Sequence, residues 1–393
     1  MNFDEILFFD FNQKSSALLI FFFNAMLFSV LLLKRGINEE QQDSKWLAAF
    51  LFLCGLYVCP FMLGYAGWYS VTSYREFMFF MPFQQLFLLG PVLYFYVSSL
   101  LDRNFRIKKV QLWHFLPALL YLIYSLVVFV ADKFILDRFY FYADERDKDL
   151  VFWYQMSGLL SMLGYLGLCL YRYKTYRKDL EQEVSYAEEV SFKWIKNFLL
   201  ALSLILFLRI LFFILNPEWA EFGRKYWYYL SFSAIAMYII VEGYTHALKV
   251  RLPQRLVPDV GINPVEIPAS ERDMPASAEE LQVLKDQIES LIRERQLHTN
   301  PRLTLSDLAH ELNTNRNRIS EVINQGFGLN FNEYINTRRI ETVVKMLKDG
   351  KHHQTTLLGI ALDCGFNSKS TFNRAFKKHT GLTPQQFISK NRL

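Results

Sequence analysis

The sequence predicts an all-α protein: a seven-helix transmembrane bundle, then a helical domain with two helix-turn-helix units joined by a long helix. Three observations lead there. Nearly all the long apolar runs of the 393-residue chain lie before residue 250. Basic charge collects after residue 300, and the same tail twice repeats one pattern of short helix, tight turn and polar-faced helix. Residues 301–393 carry 14 Lys+Arg against 7 Asp+Glu, whereas residues 1–300 carry 29 against 31. The formal net charge of +5 is therefore made by the tail, and a basic tail implies a polyanionic partner.

A helix needs about 20 apolar residues to cross a hydrocarbon core of ~30 Å. Seven stretches qualify, at roughly 15–33, 46–65, 77–101, 112–131, 151–171, 197–215 and 226–248. So many apolar runs within residues 1–250 leave too little polar surface to cover them in a soluble protein. Trp46, Trp68-Tyr69, Trp113, Trp153-Tyr154 and Trp227-Tyr228-Tyr229 stand at their edges, where amphipathic rings meet headgroups. The first run ends in Lys34-Arg35 without a small-residue cleavage site, as a retained span does and a signal peptide does not. The four cysteines, Cys54, Cys59, Cys169 and Cys364, have no metal-ligand spacing and read as reduced packing residues.

Orientation follows from Lys and Arg in the loops. With the N-terminus outside, the inner flanks hold 16 of them, among them Lys34, Arg35, Arg103, Arg106, Arg172, Arg177, Lys193, Lys249, Arg251 and Arg255. The outer flanks hold 8: Lys14, Arg75, Lys133, Arg138, Arg146, Lys148, Arg224 and Lys225. An odd number of crossings then puts the tail in the cytoplasm, as a multi-pass protein of the cytoplasmic (inner) membrane. Within the spans Arg209, Glu242 and the pair Gln84-Gln85 are costly in hydrocarbon. They read either as a polar signal-sensing site inside the bundle, or as Arg209 reaching the outer headgroups while the glutamines join helices.

Residues 251–280 contain Pro253, Pro258, Pro264, Pro268 and Pro275, a punctuated cytoplasmic linker. Helical spacing returns with Leu281, Leu284, Ile288, Leu291 and Ile292 on one face. That face packs on the tail domain or pairs with its copy in a homodimer.

The tail domain, 281–393, contains the two units, at 305–325 and 357–379. In the first, Leu305, Leu308, Ala309 and Leu312 line one face of a short helix. Asn313-Thr314 turn the chain, Asn315 caps the next helix, and Ile319, Val322 and Ile323 face inward. In the second, 357–364 leads through Gly365-Phe366 to a helix whose Phe372, Ala375 and Phe376 face inward. Residues 331–347 read as the connecting helix. A helix-turn-helix offers its second helix to the DNA major groove. The outward residues there are Arg316, Asn317, Ser320 and Glu321 in the first unit and Lys369, Ser370, Asn373, Arg374 and Lys377 in the second. Arg suits guanine edges, Asn suits adenine, and Lys suits phosphate.

On "GLNFNEYINTRRI" (328–340) and above all "IALDCGFNSKSTFNRAFKKHTGLTP" (360–384), the tail resembles the DNA-binding domain of AraC/XylS-type regulators. The whole arrangement resembles their membrane-anchored members with an N-terminal multi-pass domain. Ile360, Ala361, Gly365, Phe366, Phe372, Phe376, Gly381, Thr383 and Pro384 fall where that family's pattern wants them. The resemblance implies two recognition helices in successive major grooves on one face of the DNA. It leaves the membrane half unexplained.

The function these features predict is a one-component regulator coupling a membrane or extracytoplasmic signal to promoter binding. Its partners are double-stranded DNA, the lipid bilayer, a second copy of the chain, RNA polymerase if it activates, and a signal molecule the sequence does not identify. The alternative is a membrane transporter or enzyme with a regulatory tail. Only His114 and His246 lie in or beside the spans, without ligand spacing, so no catalytic residue, metal or cofactor is predicted.

Overall fold

The structure is a computed structural model describing residues 9–102, 105–136, 138–142, 148–187, 193–215, 225–249 and 278–391. The linker predicted over 251–280 falls outside these as far as residue 277, as do Arg103, Arg146, Arg224, Arg251 and Arg255. The described residues are helical, with one isolated β-bridge between Val184 and Thr304. The chain folds as two compact units, Met1–Tyr173 with Lys193–Gln254 and Lys174–Phe192 with Arg255–Leu393.

The first unit begins with α1 (Gln13–Asn38) and α2 (Gln42–Tyr65). Asn12 caps α1, accepting hydrogen bonds from the Lys14 and Ser15 amides. Ser29 Oγ donates to the Ala48 carbonyl at 2.8 Å, tying α1 to α2. Then come α3 (Thr72–Phe80), α4 (Leu86–Leu101), α5 (Leu116–Val130) and α6 (Phe152–Glu183), followed by α7 (Lys193–Leu215) and α8 (Tyr226–Lys249).

Two predicted spans differ from the sequence expectation. The third, 77–101, is two helices separated by residues 81–85 rather than one kinked helix. Pro82 lacks an amide hydrogen and holds Met81 extended (φ −77°, ψ 121°), so α3 ends there. The fifth, 151–171, continues to Glu183, because residues 172–183 are mostly Lys, Arg, Glu, Gln, Leu and Tyr, several of them strong helix formers.

Among the described residues, four helices are long and apolar enough to cross a membrane: Gln13–Asn38, Gln42–Tyr65, Lys109–Ile135 and Trp194–Leu215. Leu86–Leu101 is apolar but shorter. The helical stretches at 152–171 and 226–248 are diluted by Tyr, Gly, Ser and a Gln or Glu, which lowers their hydropathy without interrupting the helix. Large apolar side chains exposed on the protein, Leu119, Leu120, Leu126 and Val127 among them, belong to the first unit except Val283, Leu358 and Leu362.

Among the described residues, the tail portion of the second unit has two small cores. Its helices are α9 (Ala278–Glu294), α10 (Leu305–Glu311), α11 (Arg316–Gly326), α12 (Phe331–Lys348), α13 (Leu357–Asp363), α14 (Lys369–Thr380) and α15 (Pro384–Asn391). The first core joins Leu305, Leu308, Ile319, Val322, Ile323, Phe331 and Tyr334 to Ile288 and Ile292 of α9. The apolar face of α9 thus packs within the tail domain. Ile340, Val343 and Leu347 of α12 close the second core with Ile360, Ala361, Phe366, Phe372 and Phe376. All four cysteines are free and buried.

Candidate nucleic-acid interface

Each helix-turn-helix is set by local chemistry. Thr304 and Asp307 form a reciprocal cap at the start of α10, and Asn315 Oδ1 accepts the Asn317 amide at the start of α11. Thr356 caps α13, and Ser368 caps α14 by accepting the Thr371 amide. These caps satisfy amides that would otherwise lack a helical partner.

The two turns repeat one geometry. Asn313 and Gly365 take positive φ, 49° and 90°, and the next amides, of Thr314 and Phe366, donate to the Ala309 and Ala361 carbonyls at 2.9 and 3.0 Å. Gly365 is more constrained than its φ alone requires. A Cβ there would stand 2.6 Å from the His298 carbonyl oxygen and 2.8 Å from that of Thr299. Gly365→Ala is expected to destabilise the tail by about 2 kcal/mol or more, read as an earlier unfolding transition; an unchanged transition would contradict this packing.

The turns present α11 and α14 with one face in the cores and one outward. Asn317, Lys369, Ser370, Asn373, Arg374 and Lys377 are exposed. Ser320 and Glu321 are half-buried and already bonded, to Asn324 (3.2 Å) and Gln325 (3.3 Å). Arg316 is half-buried, with Nη1 3.4 Å from Glu183. Burial, then the nearness of Arg177, pushes the Arg374 guanidinium below its usual range, with Glu181 acting the other way.

One residue that the sequence reading treated only as part of a motif holds this frame together. Arg339 of α12 is 1% exposed. Its Nε donates to the His298 carbonyl (2.8 Å), and its Nη2 to the Asn300 carbonyl (2.8 Å) and Ser185 Oγ (3.1 Å). Its Nη1 donates to the Ser185 carbonyl and to Asn336 Oδ1. The guanidinium lies 5.7 Å from the Phe366 ring centre. The available signal was an arginine at core spacing, four residues after Ile335 and four before Val343.

In the first unit, Gln84 and Arg209 come together through Gln155. Gln155 Nε2 donates to Gln84 Oε1 (2.6 Å), and Arg209 Nη2 donates to Gln155 Oε1 (2.8 Å). Arg209 is 3% exposed, so it does not reach outward. Asp149 accepts the Gln84 amide (3.0 Å) and Tyr154 donates to the Gln84 carbonyl. The cluster thus satisfies backbone groups freed by the break at Pro82. Gln85 bonds back to the Pro82 carbonyl, and Glu242 is exposed outside the cluster.

Residues 308–390 match a family model described as a helix-turn-helix domain. The chain is 34% identical over 92 residues to HTH-type transcriptional regulators of Staphylococcus aureus strains COL and MRSA252, covering 23% of this chain and 12% of theirs. It is 34% identical over 85 residues to the melibiose operon regulatory protein of Escherichia coli K12, covering 22% of this chain and 27% of that one. No solved structure matches the chain.

Proposed function

Since residues 308–390 form a helix-turn-helix domain of the AraC type, we propose that the whole chain is a membrane-bound, sequence-specific transcription regulator. The observation carrying this is the outward face of α14, where Lys369, Ser370, Asn373, Arg374 and Lys377 stand on a helix locked by buried Phe372 and Phe376. Arg374 and Asn373 read base edges in a major groove while Lys369 and Lys377 hold phosphates. Asn317, Ser320 and Arg316 of α11 approach a neighbouring groove, with Glu321 beside them.

The first unit anchors the protein in the cytoplasmic membrane as seven crossings. The four long apolar helices supply four, the α3–α4 pair one, and the starts of α6 and α8 the others. Outward-facing Leu and Val on α5 support a lipid surround, as do the exposed Trp113, Trp153 and Trp227 near helix ends. The bonds of residues 184 and 185 to Thr304 and Leu303 support a reading in which the chain just after α6 and the tail lie on one side of the bilayer. That agrees with an outside N-terminus and a cytoplasmic tail. In this reading a signal molecule acts on the first unit, the polar cluster of Gln84, Gln155 and Arg209 being where it is felt. Two copies then place their tails on paired sites, the second gaining from effective concentration, and an activating form meets RNA polymerase there.

In vivo crosslinking with sequencing of bound DNA tests this. A set of promoter sites sharing one motif, recovered with the membrane fraction, is expected; recovery of no enriched site would contradict it.

A further inference from the structure

The second unit includes a piece of chain that a free DNA-binding tail would not need, the end of α6 and the residues after it. Leu180, Val184, Tyr186 and Ala187 form their own small buried cluster. Val184 pairs with Thr304, and the Ser185 amide donates to the Leu303 carbonyl at 3.1 Å, immediately before α10. Asn332 Nδ2 donates to the Val184 carbonyl (3.3 Å), and Arg339 grips Ser185 by both its carbonyl and its hydroxyl. The segment is therefore seated by side chains of α12 that donate to it and by backbone pairing at the entry of the first helix-turn-helix.

One of its acidic side chains meets a helix that reads DNA. Glu183 takes Arg316, the first residue of α11, at 3.4 Å. Arg374, on α14, feels Arg177 more than Glu181, and those two residues pair with each other at 3.0 Å. A carboxylate thus stands beside the guanidinium that opens α11, where a DNA group would otherwise be bound.

We propose that residues 174–187 are an internal inhibitor of DNA binding: docked, they hold Arg316 of α11 through Glu183, and duplex DNA binds once they are displaced. The proposal rests on α11 and α14 being the DNA-contacting helices. Because α6 starts at Phe152 in the apolar unit and ends at Glu183 in this one, a signal that shifts α6 changes how well the segment is seated. The seating and the duplex compete, so each weakens the other by one factor.

The test uses the full chain in lipid nanodiscs and a fluorescent duplex at low salt. The variant Glu183→Gln removes the half-buried carboxylate that holds Arg316. It is expected to bind duplex roughly two- to fivefold tighter than the unsubstituted chain, as the loss of one ion pair predicts, with an unchanged unfolding midpoint. Equal or weaker binding by the variant, beside clear binding by the unsubstituted chain, overturns the inhibitor while leaving the DNA-binding reading intact. Binding by neither protein overturns both. Independently of any folding defect in that variant, Gln182→Cys is labelled with a maleimide, the native cysteines being buried. Duplex is expected to speed labelling severalfold; an unchanged or slower rate overturns the proposal.

Discussion

Replacing Lys369, Arg374 and Lys377 together by alanine is expected to weaken binding to a cognate site at least about a hundredfold, while the tail folds as before. All three are exposed on α14, and none belongs to the core formed by Phe366, Phe372 and Phe376. Arg374 is expected to contribute most of the sequence preference. A bidentate contact to guanine is worth about 1–3 kcal/mol against a wrong base, and that part disappears when cognate and random duplexes are compared. The lysines act on any sequence, so their loss flattens the salt dependence by about one unit of slope per phosphate contact. Titrations of the triple and single variants on cognate and random duplexes separate these parts. If Arg374→Ala alone weakens both duplexes equally, Arg374 holds a phosphate and the base reading moves to Asn373.

The second large effect is expected from Arg339→Met, which fills a similar volume without the hydrogen bonds. It strands the carbonyls of His298, Asn300 and Ser185, which the guanidinium fork joins. Leaving buried acceptors unmet costs about 1–3 kcal/mol each when water does not replace the donor, so a loss of about 3 kcal/mol or more is expected. Arg339→Lys should recover little, because an ammonium cannot span acceptors in the plane the guanidinium uses. Hydrogen exchange in α12 is the measurement: loss of protection at both cores, Ile335 and Val343 alike, is predicted. Protection unchanged on either side would mean that Arg339 is not the clamp described here.

The helix-turn-helix elements were legible almost to the residue, because apolar spacing, N-caps and turn residues agreed. Leu305, Leu308 and Ala309 are buried as their spacing required, Asn315 caps α11, and Gly365 makes the turn. In the apolar half the runs were legible and their continuity was not. Hydropathy sums a window and is blind to the missing amide of Pro82, so a broken helix read as one span. It is equally blind to a helix that leaves the apolar region, and residues 172–183 read as a charged loop end.

The candidate site divides the same way. The outward residues of α14 follow from helical period alone, whereas the environment of Arg316 depends on Glu183, far away in sequence. Arg339 shows why such contacts are hidden. Its partners come from residues 185, 298, 300 and 336, and only the folded chain brings them together. In the first unit, the sequence offered Gln84 and Arg209 either as one polar site or as unrelated groups, and the residue that joins them, Gln155, carried no signal of its own.

The most direct test of the account is equilibrium binding of the full chain, in nanodiscs, to duplex DNA across a salt series. The account predicts measurable binding at low salt that weakens linearly on a log–log plot, with a slope of about −0.9 per phosphate neutralised. It further predicts that a cognate fragment outcompetes random duplex. A chain that leaves both duplexes unbound at the lowest salt, with its tail folded, would contradict it.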